Sequence, residues 1–189
     1  MILYVVRHGE SVFNTEGRYG GIIDTPLTPK GLEQAKQLAE KLNEIVFEVI
    51  ITSSLTRARQ TAEIIKEIFN IPLVVSDEFR ERNLGVYGGL TTEEIMEKYP
   101  SLWERNCTRQ WNDAPTNGET YQQFDERAVK ALLNLEKEYS TQSVLLVTHG
   151  YVSRIINRHY KNLLFDEMHS FDLKNCEIAE YRNLSVIGS

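Results

Sequence analysis

The chain has 189 residues, 27 of them acidic and 21 basic, a net charge of -6, and two cysteines, Cys107 and Cys176. That length suits one domain able to bury roughly two thirds of its unfolded surface, and an acidic field repels polyanions, which argues against a nucleic-acid partner. The cysteines lie outside any CxxC or Cys/His cluster, which excludes a zinc motif; no apolar run approaches the ~18 residues of a membrane span and no leader pattern opens the chain, so the expectation is a cytoplasmic protein without a membrane partner.

Short apolar runs and helical patterns alternate along the chain. Ile2 to Val6 reads as the first strand. Thr28 is a candidate N-cap with Pro29 at the first helical position, and Leu32, Ala35, Leu38, Ala39 and Leu42 follow at helical spacing. Val49 to Ile51 is a second strand, and Ala58, Ala62, Ile65 and Phe69 mark a helix after Ser54. A third strand, Leu73 to Val75, precedes the least regular stretch, about 91–117, which contains Pro100, Trp103, Trp111 and Pro115 and reads as a lid. A long helix from about Glu119 to Tyr139 buries Phe124, Ala128, Ala131, Leu132 and Leu135. Val144 to Val147 is the next strand, and Val152, Ile155 and Ile156 continue as a helix after Gly150. These strands are continuous and β-branched, the pattern of strands covered on both faces, whereas Glu177 to Tyr181 alternates like an edge strand. The fold expected is therefore α/β: a single domain over 1–189, a three-layer α/β/α sandwich, its central sheet mainly parallel with an antiparallel edge strand.

The chemistry sits at the strand ends. The first strand runs into Arg7-His8-Gly9-Glu10-Ser11 and on to Asn14, and the strand Val144 to Val147 leads to a second His-Gly pair, His149-Gly150. Ligand sites in such sheets form beyond the carboxyl ends of parallel strands, so two strands ending this way deliver two imidazoles to one pocket. Ser53-Ser54-Leu55-Thr56-Arg57-Ala58-Arg59-Gln60-Thr61-Ala62 follows the second strand, and Phe79-Arg80-Glu81-Arg82-Asn83-Leu84-Gly85 follows the third. Arginines clustered in an acidic protein imply a local positive pocket for a small phosphorylated ligand. Phosphoryl transfer is mostly positioning plus electrostatic stabilisation, and planar guanidinium forks fit the equatorial oxygens. Arg57 falls in the first turn of its helix, where backbone N–H groups also face an anion, and Gly20, Gly21 and Gly150 let the backbone close on a phosphate. His8 attacks phosphorus only through an unprotonated ring nitrogen, and neighbouring Arg7 and Arg57 disfavour its imidazolium form.

Taken in order, RHGESxxN, a Gly-rich stretch before Asp24-Thr25-Pro26-Leu27-Thr28-Pro29-Lys30-Gly31, SSLxRARQTA, RExxLG and THG resemble the histidine phosphatase superfamily, phosphoglycerate-mutase-like branch. RHG alone is a weak signal; the ordered set is specific and spans the first strand to the last helix. The resemblance implies that His8 accepts the phosphoryl group, that Arg7, Arg57 and His149 complete its pocket, and that Glu81 is the proton donor. Asn14, Gly21 and Gly150 match supporting phosphate contacts. The implied reaction is cofactor-independent and metal-free hydrolysis of a small phosphomonoester. Glu81 protonates the leaving alkoxide and then takes a proton from the water that cleaves the phosphohistidine.

Rival readings are weighed on the same residues. His8, His149 and Glu81 also make the formula of a non-haem iron site, but arginines at 7 and 57 repel a divalent cation there. A phosphoglycerate mutase uses the same pocket, and Arg105 and Arg109 in the lid are candidate holders of a substrate carboxylate, yet the stretch between Glu81 and His149 lacks the mutases' longer insertion. A catalytically silent phospholigand-binding module requires loss of the nucleophile or acid, and both are present. Ser11 matches no GxSxG elbow, and there is no GxxxxGK[ST] loop for a nucleotide. Glu10 is expected as a hydrogen-bonded structural acid, His159 and His169 as solvent-facing or packing residues, and Arg59 and Arg82 as solvated or ion-paired. Many relatives carry Glu where this chain has Gly88, which is expected to leave room near the pocket, with Tyr87, Trp103 and Trp111 weighed as ring-stacking or packing residues. Candidate substrates range from three-carbon phosphates through sugar phosphates to phosphorylated ribazole.

Overall fold

The structure is a computed structural model and describes residues 1–182; the end of the expected domain, 183–189, lies outside the described residues. Strands β1 (Ile2–Arg7), β2 (Val49–Ser53), β3 (Leu73–Ser76), β4 (Ser143–Thr148) and β5 (Ile178–Arg182) form one sheet in the order β3-β2-β4-β1-β5. The first four are mutually parallel where they pair, and β5 runs antiparallel along β1. The expected class and edge strand are therefore what the chain adopts.

The alternation of side chains along the strands sorts the core into two layers. Leu3, Val5, Val49, Ile51, Val144 and Leu146 pack against helices α6 (Tyr121–Glu138) and α7 (Gly150–Lys161). Tyr4, Val6, Ile50, Leu145 and Val147 face the other way, onto α2 (Pro29–Leu42) and α3 (Thr56–Phe69). Each such aliphatic burial stabilises by about 1.5–3 kcal/mol, enough in sum to fix the register of the central strands. The edge strand β3 departs from the expectation of cover on both faces: it pairs with β2 on one side, only Leu73 packs onto the α2 and α3 layer, and Val74 and Val75 are 43% and 47% exposed.

Local signals explain the helix positions. Thr28 Oγ1 accepts the Gly31 N–H at 3.0 Å, with Pro29 as the first helical residue. Helix α6 opens at Tyr121 under a capping box of Thr120 and Gln123. The loop after β1 presses on the start of α2 so closely that a Cβ on Gly9 would stand 2.5 Å from Gly31 O. A short helix α1 (Val12–Thr15) follows that loop. The 91–117 stretch is more regular than expected, with α4 (Thr92–Lys98) under a Thr91–Glu94 capping box, α5 (Pro100–Glu104) and a 3-10 turn at Cys107–Arg109. Leu84, Tyr87, Ile95 and Cys107 give it a small core of its own.

Candidate active site

Strand pairing explains why the two His-Gly pairs meet. Arg7 lies opposite Thr148 in the parallel register of β1 and β4, and the His8 N–H donates to Thr148 O at 3.0 Å. His8 and His149, the next residues of each strand, are thus neighbours, with ring centroids 5.2 Å apart. His8 is 4% exposed and His149 fully buried. His8 Nδ1 lies 2.7 Å from Gly9 O, an acceptor only, so Nδ1 carries the proton and Nε2 keeps its lone pair. His149 Nε2 lies 2.8 Å from Ser53 Oγ at the end of β2, and its Nδ1 is buried without a partner among the described residues. Burial first, then the Arg57 charge, holds both imidazoles well below their ordinary value; Arg7 adds to this, and for His8 the Gly9 carbonyl opposes it. The expected neutralisation by arginines is real, but desolvation outweighs it.

The arginines are held by carbonyls. Arg7 Nη1 donates to Leu173 O at 3.0 Å, while its buried Nε has no partner among the described residues. Arg57 reaches across to the 17–25 loop, with Nη2 to Gly21 O at 2.7 Å and Nη1 to Ile23 O at 2.9 Å. Gly21 adopts a left-handed φ of 48°, and a Cβ there would meet Arg82 O at 3.0 Å, so a side chain is disfavoured on two counts. Gly20 and Gly150 line the same cavity as Gly21, and a Cβ on Gly150 would sit 3.8 Å from the Arg7 guanidinium. At the start of α3 the Thr56 N–H is taken by the protein itself, since Asp24 accepts it at 2.7 Å and the Thr56 hydroxyl at 2.6 Å.

Glu81 enters from the loop after β3. Its Oε1 accepts the Arg82 N–H at 3.0 Å and its Oε2 the Tyr151 N–H at 3.1 Å. Burial raises its pKa above the ordinary carboxylate value, opposed by those two N–H groups and by Arg57 and Arg7. Arg7, His8, Asn14, Gly20, Gly21, Arg57, Glu81 and Gly150 all line one cavity of about 420 Å³, whereas His149, expected in the same pocket, is not among its lining residues and stands against the His8 ring. Asn14 Oδ1 accepts from the Ser11 N–H at 3.0 Å and the Ser11 hydroxyl at 3.1 Å, so Ser11 is committed to a turn, in line with its dismissal as a nucleophile. Glu10 turns outward to Thr28 and Lys30, the structural acid expected.

Tyr87, Trp103 and Trp111 are packing residues, the favoured of their two readings, and do not line the cavity: Tyr87 is buried against Cys107, Trp103 packs in the same cluster, and Trp111 meets Phe165 edge-on. Several other expectations are corrected. Gly88 opens no room, since Ile23 Cδ1 fills that space, 2.9 Å from where a Cβ would stand. Arg105 pairs with Asp113, and neither it nor Arg109 lines the cavity. Thr92 is the part of the 91–117 stretch that does. Arg82, expected in solvent or an ion pair, is completely buried and donates to main-chain carbonyls. Arg59 pairs with Glu63 on the surface, His159 is exposed, and His169 packs against Tyr121 and Phe165, as the bland readings had it.

Sequence reasoning missed the outer wall and the braces. Phe13, Arg18, Tyr19, Leu84, Tyr151, Arg154 and Asp172 line the cavity beyond its phosphate-sized end. Asn175 donates to His8 O at 2.8 Å across 167 residues of chain, and Thr61 Oγ1 accepts the Gly9 N–H at 3.1 Å. Of these, Thr61 stood inside a quoted motif, whereas nothing local marks Asn175. Among the described residues no three His, Cys, Asp or Glu side chains converge as metal ligands. No helix among them is long and apolar enough to cross a membrane.

The model of the histidine phosphatase superfamily (branch 1) matches residues 3–183. Phosphoserine phosphatase 1 of Hydrogenobacter thermophilus is 33% identical over 95% of this chain and 83% of its own length. A probable phosphoglycerate mutase of Escherichia coli O1:K1 / APEC is 32% identical over 94% of this chain and 82% of its own. Among solved structures, a putative alpha-ribazole-5'-P phosphatase of Escherichia coli superposes with a TM-score of 0.89 at 27% identity, covering 95% of this chain and 89% of that one. With its sheet order, its paired histidines and a match across nearly all of its length, the chain belongs to branch 1 of the histidine phosphatase superfamily and is an enzyme of its phosphatase kind.

Proposed function

We propose that the protein hydrolyses small phosphomonoesters in the cytoplasm, without a metal, through a phosphohistidine on His8. The observation that carries this reading is the His8 ring: Nδ1 is committed to Gly9 O, so the lone pair is on Nε2, in a cavity that Arg7 and Arg57 also line. Arg7 Nε and His149 Nδ1 are buried donors without protein partners among the described residues, and leaving such donors unmet costs about 1–3 kcal/mol each. For Nδ1 to donate, the Ser53 hydroxyl donates to Nε2. A phosphoryl oxygen is an acceptor that fits Arg7, which lines the cavity, and His149 stands against the His8 ring at its edge. Gly20, Gly21, Gly150 and Asn14 line the phosphate end.

Nε2 attacks phosphorus and the ester P–O bond breaks; the departing oxygen takes the proton that the raised pKa of Glu81 keeps available. Water then attacks the phosphohistidine, giving its proton to the Glu81 carboxylate, and phosphate leaves. Hydrolysis is favoured over mutase action by the phosphatase-named relatives and by the pairing of the cavity's outer arginines within the protein, Arg18 with Glu16 and Glu94 and Arg154 with Asp172, while Arg105 and Arg109 stand outside the cavity. Phe13, Tyr19, Leu84 and Tyr151 give the leaving group a partly apolar wall, with space from a three-carbon alcohol up to a ribose-like ring. The 91–117 stretch, with Thr92 at the cavity, is the proposed lid.

The test is a panel of phosphorylated metabolites scored for released phosphate, with labelled turnover quenched without acid. An acid-labile, base-stable phosphoenzyme is expected in the parent and none in His8→Ala. Label on serine or on another histidine overturns the assignment, and a strict need for a bisphosphorylated primer points back to the mutase.

A further inference from the structure

Arg82 is the largest side chain that is fully shielded from solvent. No carboxylate among the described residues lies within 4 Å to pair with it; instead its guanidinium gathers main-chain carbonyls. Nε donates to Glu119 O at 3.0 Å, Nη1 to Thr108 O at 2.8 Å, and Nη2 to Glu119 O at 2.8 Å and Asp113 O at 3.3 Å. Its Cζ stands 4.0 Å from the centroid of the Tyr121 ring. A buried cation is tolerated only when its donors are met, so this one side chain ties three points of the 108–119 segment together. The rigid fork makes that possible, since an ammonium is a single point of attachment.

The same residue supplies one of the two N–H groups that hold the Glu81 carboxylate. The loop is gripped from the other side as well. Arg127 Nη1 donates to Glu78 O at 2.6 Å and Arg80 O at 3.1 Å while its Nε and Nη2 pair with Glu119. Glu119 in turn accepts the Asn83 N–H at 2.8 Å. The backbone on both sides of Glu81 is therefore fastened to the 108–119 segment, whose early part belongs to the proposed lid.

We propose that Arg82 is a positioning residue: by locking the 108–119 segment to the backbone beside Glu81, it aims the Glu81 carboxyl at the leaving oxygen. The proposal rests on the reading of Glu81 as proton donor. Arg82 does not line the cavity and touches no reacting atom; its effect passes through the Arg82 N–H and the Glu81 carboxylate. With the fork gone, Glu81 keeps its contact to the Tyr151 N–H and swings about it.

The experiment compares Arg82→Lys with the parent, and Glu81→Gln alongside, in single-turnover phosphoenzyme formation from an alkyl phosphate and from p-nitrophenyl phosphate. Rates are referred to the folded fraction measured by near-ultraviolet circular dichroism. Misplacement of a catalytic group by about 1 Å costs up to ~10²-fold, so Arg82→Lys is expected to slow the alkyl ester by about tenfold and the nitrophenyl ester by less than about twofold. The basic limb of the alkyl-ester profile moves to lower pH, because water reaching Glu81 relieves the burial that raises its pKa. Equal losses on both esters, or parental rates on both, overturn the proposal. If Arg82→Lys does not fold, Tyr121→Leu, which removes the ring under the guanidinium and leaves its hydrogen bonds, is expected to show the same contrast at smaller size, and absence of contrast there counts equally against it. If Glu81→Gln shows the contrast and the Arg82 variant does not, the positioning role alone fails; if Glu81→Gln shows none, the proton-donor reading falls and this proposal with it.

Discussion

Glu81→Gln tests the chemistry at its most specific point. The carboxylate is held by two donors, the Arg82 and Tyr151 N–H groups at 3.0 and 3.1 Å. A glutamine accepts through one oxygen only, so its amide nitrogen must face one of those N–H groups, donor against donor. Leaving one buried N–H unmet costs about 1–3 kcal/mol, offset in part by removal of an acid that burial already disfavours. A modest fall in the urea midpoint is therefore expected, and kinetics are read on the folded fraction. General acid catalysis contributes roughly 10²- to 10⁴-fold, or about 2.7–5.4 kcal/mol of barrier. An alkyl alcohol leaves as a strongly basic alkoxide and needs all of that, whereas p-nitrophenolate is stable without a proton. The variant should lose about 10²- to 10⁴-fold in single-turnover phosphoenzyme formation from the alkyl ester and less than about tenfold from the nitrophenyl ester. Steady-state rates blunt the contrast, because dephosphorylation uses the same residue as base. Equal losses in single turnover refute the donor role and leave Glu81 as a phosphate or structural contact.

The pH profile follows from the directions of two shifts. Phosphoenzyme formation needs neutral His8, whose pKa is depressed, and protonated Glu81, whose pKa is raised. Alkyl-ester turnover should persist below pH 6.5, where ordinary imidazoles protonate, and fall as pH rises through the Glu81 pKa, above 4.5; p-nitrophenyl phosphate should lack the basic fall in single turnover. A rate falling with acid already near pH 6.5 on both esters would contradict a depressed His8. Activity should survive exhaustive chelation, since Arg7 and Arg57 supply the charge that a metal would bring, and vanadate should inhibit competitively as a mimic of the pentacoordinate phosphoryl group. Loss on chelation with rescue by one divalent ion would count against the pocket as read. Gly21→Ala should cost about 1–2 kcal/mol in the urea midpoint through its left-handed φ alone, and should weaken phosphate inhibition because Gly21 O positions Arg57. An unchanged midpoint would mean the loop relaxes freely.

The candidate site was legible because its residues sit at strand ends, where an apolar run followed by a polar pair fixes position and direction together. His8 and His149 needed only the parallel pairing of β1 and β4 to become neighbours. What lay beyond reach has acceptors that residue identity does not announce. Arg82 reads as one more surface arginine in an Arg-Glu-Arg run, since its partners are carbonyls of Thr108, Asp113 and Glu119, and any residue carries a carbonyl. Asp24 caps α3 from 32 positions away, so the anion at that helix start is the protein's own. Gly88 shows the converse error: a missing side chain suggests space, but the packing had already given that space to Ile23. Strand β3 misled for a third reason, because a continuous β-branched run marks a strand without saying whether it lies at the centre or the edge.

The balance of charge in the cavity explains why burial, rather than the arginines, does most to set its protonation. His8 and His149 are driven to their neutral forms, and Glu81 toward its protonated form, by the same desolvation, while the guanidiniums of Arg57 and Arg7 donate to the carbonyls of Gly21, Ile23 and Leu173. Arg18, Arg154 and Asp172 line the same cavity with one net positive charge, and with Glu81 protonated those five groups add two more, opposite in sign to a phosphate monoester dianion. Ionising Glu81 would halve the charge of those five and place a carboxylate beside the incoming phosphoryl group, while protonating His8 would remove the nucleophile. Desolvation thus disfavours the two states that would be unproductive in the proposed reaction. Bound phosphate strengthens the selection on one side, since its negative charge raises the cost of an ionised Glu81 and so keeps the proton where the departing oxygen needs it.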